Sequence, residues 1–214
     1  MVRIILECSI IVKSQLNKIA VIVGILLLAA CDSPKLNLVD NDGVILAFGD
    51  SLTYGVGAGN NVNYPKILSE LSGIEVINSG VSGETTDQGL RRLPSELARY
   101  NPNLMLLIEG GNDILRHRDH ALIKNDLSNM INIANRYGVQ VVLIGVPKKS
   151  LFSNSAKIYH ELADEYDLVF DGELIGGLMR SPSLKSDPIH FNEKGYRKMA
   201  KSIYELLKEN GALH

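Results

Sequence analysis

Four short clusters in the chain could together carry out acyl transfer, and three of them close an apolar run. Ser51 lies in Gly49-Asp50-Ser51-Leu52-Thr53. A serine hydroxyl is a weak nucleophile and needs a base within about 3 Å. At the head of a helix it would be exposed beside a free backbone N–H. Asn78-Ser79-Gly80-Val81-Ser82-Gly83 offers Gly80, where the missing Cβ lets the backbone turn and aim its N–H into a crevice. Gly110-Gly111-Asn112-Asp113 offers an asparagine amide that can project towards an oxyanion. Asp187-Pro188-Ile189-His190 sets an acid three residues before a histidine. Such an Asp can reach the Nδ1–H, fix the tautomer and leave Nε2 as a base. Each cluster alone also reads as a turn or a helix cap, since Asp, Ser and Asn are favoured caps.

The elements that must position these clusters follow from patterning. Residues 44–48, 75–77, 104–108 and 139–146 are short apolar or β-branched runs, suited to strands buried on both faces. Between and after them, 64–71, 87–100, 123–137 and 193–208 repeat apolar residues at helical spacing. Alternating β and α predicts an α/β fold with a mostly parallel sheet and helices on both faces. In such sheets the crevice lies beyond the carboxyl ends of the strands. Three of the four clusters fall there, and the fourth leads into the last helix.

Taken together and in this order, the clusters resemble the GDSL, or SGNH, hydrolase superfamily. The wording FGDSLTYGVGA, NSGVSGETT, GGNDILR and DPIHFNEKGY carries the resemblance across nearly all of 44–200. It is most similar to the compact bacterial arylesterase, acyl-thioesterase and lysophospholipase branch. The resemblance implies a three-layer α/β/α sandwich of flavodoxin-like topology. It implies a serine hydrolase that cleaves esters or thioesters through an acyl-Ser51 intermediate. Ser51, Asp187 and His190 would be the triad. The Ser51 N–H, the Gly80 N–H and the Asn112 amide would hold the oxyanion. No metal or cofactor is implied. A carbohydrate O-acetyl esterase would use the same four residues, and pocket polarity would separate the two readings. A non-catalytic envelope lipoprotein would be expected to have a broken set, and here the set is intact. Glu109 and the pair Lys148-Lys149 depart from the usual wording near the expected crevice.

Asp50 reads as a loop-fixing cap. His117 and His120, in the charged stretch RHRDH, read as a solvated helix start, because no third spaced ligand accompanies them. The polar stretch 148–156 reads as a cover over the crevice.

The N-terminus is of a different character. Lys13 and Lys18 precede an unbroken apolar run from Ile19 to Ala30, too short for a permanent span. It matches the core of a secretory signal. Leu28-Ala29-Ala30-Cys31 resembles a bacterial lipoprotein signal. The expectation is a signal peptide over 1–30, a tether over 31–43 beginning at a lipidated Cys31, and a hydrolase domain over 44–214. That places the protein at the bacterial cell envelope, held to a membrane by its acyl chains.

Composition agrees with one well-filled core. Of 214 residues, 45% are hydrophobic and 21% charged, and the formal net charge is -2. The slight acidic balance disfavours a nucleic-acid partner. With 2 Cys, a disulfide framework is not expected. The partners expected are a small ester or lipid substrate and a membrane.

Overall fold

The computed structural model describes residues 35–59, 62–148 and 154–214. The expected signal peptide and the expected lipidation of Cys31 lie outside these residues, as does 149–153 of the expected cover. Among the described residues no helix is long and apolar enough to cross a membrane.

Five parallel strands form the centre: β1 (Val44–Gly49), β2 (Glu75–Gly80), β3 (Leu104–Ile108), β4 (Gln140–Ile144) and β5 (Val169–Asp171). Their order is β2-β1-β3-β4-β5. Ile45 to Phe48 and all of β3 are buried, which explains their unbroken apolar sequence. The helices are α1 (Ser51–Tyr54), α2 (Tyr64–Ser72), α3 (Thr86–Tyr100), α4 (Gly111–Leu115), α5 (His120–Arg136), α6 (Lys157–Tyr166), α7 (Leu174–Met179) and α8 (Glu193–Glu209). The crossover from β1 to β2 runs one way along the sheet and the later crossovers run the other. Right-handed connections then put α2 on one face and α3, α5 and α6 on the opposite one. The packing agrees, with α2 against α8 and α3 against α5.

The expected α/β architecture is therefore present, with one strand more than the patterning gave. β5 has 3 residues, too few for a periodic signal. The expected tether is corrected in part. Leu36 and Val39 are buried, and their N–H groups donate to the carbonyls of Asn210 and Ala212 beyond α8. Those two apolar side chains, set among polar neighbours, anchor this stretch to the core.

Strand register sets the site. Gly49, the last residue of β1, stands level with Gly80 on β2 and with Ile108 on β3. The loops after all three strands thus leave the sheet at one height. The sheet order reverses at β1, and a crevice opens at that switch point.

A buried ion pair holds α4 beneath this crevice. Asp113 is fully buried and accepts from the Arg118 guanidinium at 2.8 Å and from the Thr86 N–H at 2.9 Å. Arg118 also reaches Asp126 on α5 at 2.7 Å. The RHRDH stretch is thus not wholly a solvated helix start, because Arg118 turns inward to neutralise two acids. His120 does open α5 and is exposed. Among the described residues no group of acids, histidines or cysteines could hold a metal. Removing one partner of a buried pair strands the other charge. Arg118→Met is therefore expected to lower unfolding stability by about 3 kcal/mol in urea titration. An unchanged midpoint would refute the structural role given to this pair.

Candidate active site

Ser51 is the first residue of α1 and is held there by its neighbour. The Asp50 carboxylate accepts the Leu52 N–H at 3.0 Å, a helix cap of the expected kind. With β1 ending at Gly49, this cap leaves Ser51 at the crevice. Among the described residues nothing accepts the Ser51 N–H.

His190 arrives from the other end of the chain. The Ser186 N–H donates to the His190 carbonyl at 3.0 Å, and Lys185 bridges to Phe191, closing a tight loop. Asn192 ties that loop to α8: its side chain caps Gly195 and donates to the carbonyls of Ser183 and Lys185. Within the loop, one Asp187 oxygen accepts the N–H groups of Ile189 and His190, both at 2.8 Å. The other oxygen accepts the His190 Nδ1–H at 2.7 Å. That bond fixes the tautomer, so Nε2 faces the Ser51 hydroxyl as an acceptor at 3.0 Å. Partial burial pushes the Asp187 carboxyl up, but the His190 imidazole and the two N–H groups outweigh it and hold the group below its ordinary value. It therefore stays ionised wherever the imidazole needs it.

Asn112 also reaches the crevice, from the first turn of α4. Its amide donates to the Glu84 carbonyl at 2.9 Å and, through the longer of its two bonds, to the Asp50 carboxylate at 3.3 Å, the bond a substrate oxygen would have to take over. Asp50 is itself buried, and burial is the main force pushing its carboxyl up to about 6. The Leu52 N–H and His190 pull it down, while Glu84 and Asp113 push it up.

Gly80 departs from the expectation. Its N–H donates to the Asn78 side chain at 3.0 Å, so it is already satisfied. The residue sits within β2, with its Cα against the backbone of Thr53 and Tyr54, and it lines a separate depression beside Tyr54 and Asn63. Its glycine is required by close packing, not by a turn towards Ser51. Gly83, three residues on, takes the turn instead, at φ +79 with open space where a side chain would be. Its carbonyl accepts from Arg116, and the adjoining Glu84 carbonyl accepts from Asn112. The Gly83 peptide is thus held beside the Asn112 amide, and its N–H has no acceptor among the described residues. The sequence signal was present, since NSGVSGETT contains both glycines.

The cleft at Ser51 has a volume of about 80 Å³. Leu52, Ile114, Leu115, Val146, Met179 and Ile189 make most of its lining apolar, and Asp50, Asn112 and Lys148 are its polar members beside Ser51. A nucleophile, an oriented base and aimed N–H donors beside an apolar cleft are the parts that acyl transfer requires.

Comparison with known proteins follows the same line. The GDSL-like Lipase/Acylhydrolase family model matches residues 47–198. The chain belongs to this family. Among curated proteins it is similar to an arylesterase of Vibrio mimicus, 35% identical over 107 residues, covering 48% of this chain and 54% of the relative. It is also similar to thioesterase 1/protease 1/lysophospholipase L1 of Escherichia coli K12, 28% identical over 131 residues, covering 58% and 63%. The matches span roughly half to under two thirds of these relatives' lengths. Among solved structures, the SGNH-hydrolase family esterase AlinE4 is 30% identical with a TM-score of 0.62, covering 78% of this chain and 96% of that one. The esterase EstA from Pseudoalteromonas shares the fold at TM-score 0.71 and 22% identity, covering 78% and 98%.

The two family glycines should respond differently to alanine. In Gly80→Ala the new methyl meets α1 backbone that cannot move aside, an overpacking cost of about 3 kcal/mol. In Gly83→Ala only the left-handed backbone is penalised, at about 1 kcal/mol. Urea unfolding of both variants separates them. Greater damage at position 83 than at 80 would reverse this assignment.

Proposed function

We propose that this protein hydrolyses carboxylic esters or thioesters through an acyl-Ser51 intermediate. The observation that carries the reading is the continuous chain from Asp187 to His190 to Ser51, with spacings of 2.7 and 3.0 Å. As the Ser51 oxygen attacks the carbonyl carbon, His190 Nε2 takes its proton. Asp187 stabilises the resulting imidazolium without taking that proton. The negative charge that develops on the carbonyl oxygen is met by the Ser51 N–H and the Asn112 amide. The Gly83 N–H is the third donor, in place of Gly80. His190 then protonates the leaving group. Water attacks the acyl-enzyme with His190 again as base, and Ser51 is released.

The cleft favours an acyl group over a sugar, because seven of its lining side chains are apolar. An apolar cavity of about 150 Å³ admits benzene. A cleft of about 80 Å³ therefore suits a short acyl chain, and a longer one would have to run out over the exposed Leu115 and Ile189. The Leu28-Ala29-Ala30-Cys31 run supports attachment to the bacterial envelope through lipid on Cys31. Metabolic labelling with a tagged palmitate, lost in Cys31→Ser, tests that part.

The catalytic part is tested by kcat on nitrophenyl esters of rising chain length. Ser51→Ala and His190→Ala should each lose about 10⁶-fold. Asp187→Asn should lose about 10⁴-fold, and Asn112→Ala about 10²–10³-fold. Full activity in Ser51→Ala would overturn the proposal.

A further inference from the structure

We propose that Glu109 is a positioning residue for Asn112 and that it acts as the uncharged acid. The proposal rests on the reading of Asn112 as an oxyanion donor. Glu109 joins the end of β3 to the Gly110-Gly111 turn that opens α4, so it lies directly upstream of Asn112. It is fully buried. Its Oε2 accepts the Gly110 N–H at 3.0 Å, closing the carboxyl over that turn. Its own carbonyl accepts the Tyr159 hydroxyl at 2.7 Å, which fixes the same peptide from α6. The side chain and the backbone of one residue thus hold the turn from two sides.

The second oxygen, Oε1, is buried and accepts no hydrogen bond among the described residues. The side-chain partner this carboxyl has is another acid, Glu84, and that bond needs a proton between the two groups. The groups that face this carboxyl are acids: Asp50 from the loop after β1 and Glu84 from the loop after β2. The Tyr159 hydroxyl from α6 adjoins them, with Asp113 of α4 beyond it. The nearby guanidinium groups are committed elsewhere. Arg92 grips Glu84 through two bonds of 2.7 and 2.6 Å, and Arg118 grips Asp113 and Asp126. A carboxylate at Glu109 would be a further negative charge in a dry site that already holds acids, so the group keeps its proton instead. Burial first, and then Asp50 and Glu84, push it well above the usual carboxylate range. An ionised Glu109 would also oppose the charge that develops on the substrate beside Asn112.

Two variants test this. Glu109→Gln copies the shape and neutrality of the acid, and Glu109→Leu removes the contact to Gly110. The folded chain holds a proton that the unfolded chain releases above its ordinary value of 4.5. Wild-type stability should therefore fall as pH rises from that value until the folded group itself ionises. The Glu109→Gln variant lacks this loss. Its melting temperature relative to wild type should climb between about pH 5 and about pH 8. A flat difference overturns the uncharged state, and this reading needs no ester hydrolysis. On a short nitrophenyl ester at neutral pH, Glu109→Gln should keep kcat within about threefold, whereas Glu109→Leu should lose about tenfold or more with KM little changed. Full kcat in Glu109→Leu, or a loss of about tenfold in Glu109→Gln, overturns the positioning role. An inactive wild type would instead count against the hydrolase reading, while the melting series would still report on the acid.

Discussion

The hydrogen bond between His190 Nε2 and Ser51 Oγ joins residues 139 positions apart, and the site exists only where that bond closes. Neither end can form it alone. Ser51 owes its place to the central strand β1 and to the Asp50 cap. His190 owes its place to a short loop closed by the Lys185–Phe191 bridge and tied to α8 by the Asn192 cap. The two supports meet because α8 packs back across α2, and the Tyr196 hydroxyl of α8 donates to the Val56 carbonyl just after α1. The fold is in this sense a device for bringing the two ends of the domain into contact.

The electrostatics around that bond are arranged in two grades. Asp187 is partly exposed and bonded by an imidazole and two N–H groups, so it stays ionised and can stabilise a charged histidine. Asp50, Glu84, Glu109 and Asp113 sit deeper, where charge is costly. Arg92 and Arg118 neutralise Glu84 and Asp113. Burial lifts the Asp50 carboxyl to about 6, and Glu109 is lifted further and keeps its proton. An acidic lining behind the proposed oxyanion site would oppose catalysis if every group were ionised. Pairing and protonation keep that opposition small.

Much of this was legible in the residues. The strands β1 and β3 showed as unbroken apolar runs because both their faces are covered. The Asp187-His190 spacing foretold a loop that the structure closes as expected. Asn112 stands out in the sequence through its place after a strand, and it lines the cleft at Ser51. Gly80 was misread because a glycine in a loop-like string can serve either a turn or a close contact, and only the register of β2 against β1 tells which. The short strand β5 left no periodic signal. Arg118 looked like a solvated charge, since its partner Asp126 lies on the next helix and nothing in the local sequence links them. Glu109 stood out as an acid where an apolar residue is usual, but its burial could not be read before the turn at Gly110 was seen.

The most direct measurement is covalent labelling with a small alkyl fluorophosphonate, which reacts with a serine only when a neighbouring base activates it. Intact-mass and peptide analysis of the wild-type chain should find one phosphonyl group per molecule, on the peptide that carries Ser51. His190→Ala should label far more slowly. A label on another residue, or an unchanged rate without the imidazole, would mean that the Ser51–His190 bond does not activate the nucleophile.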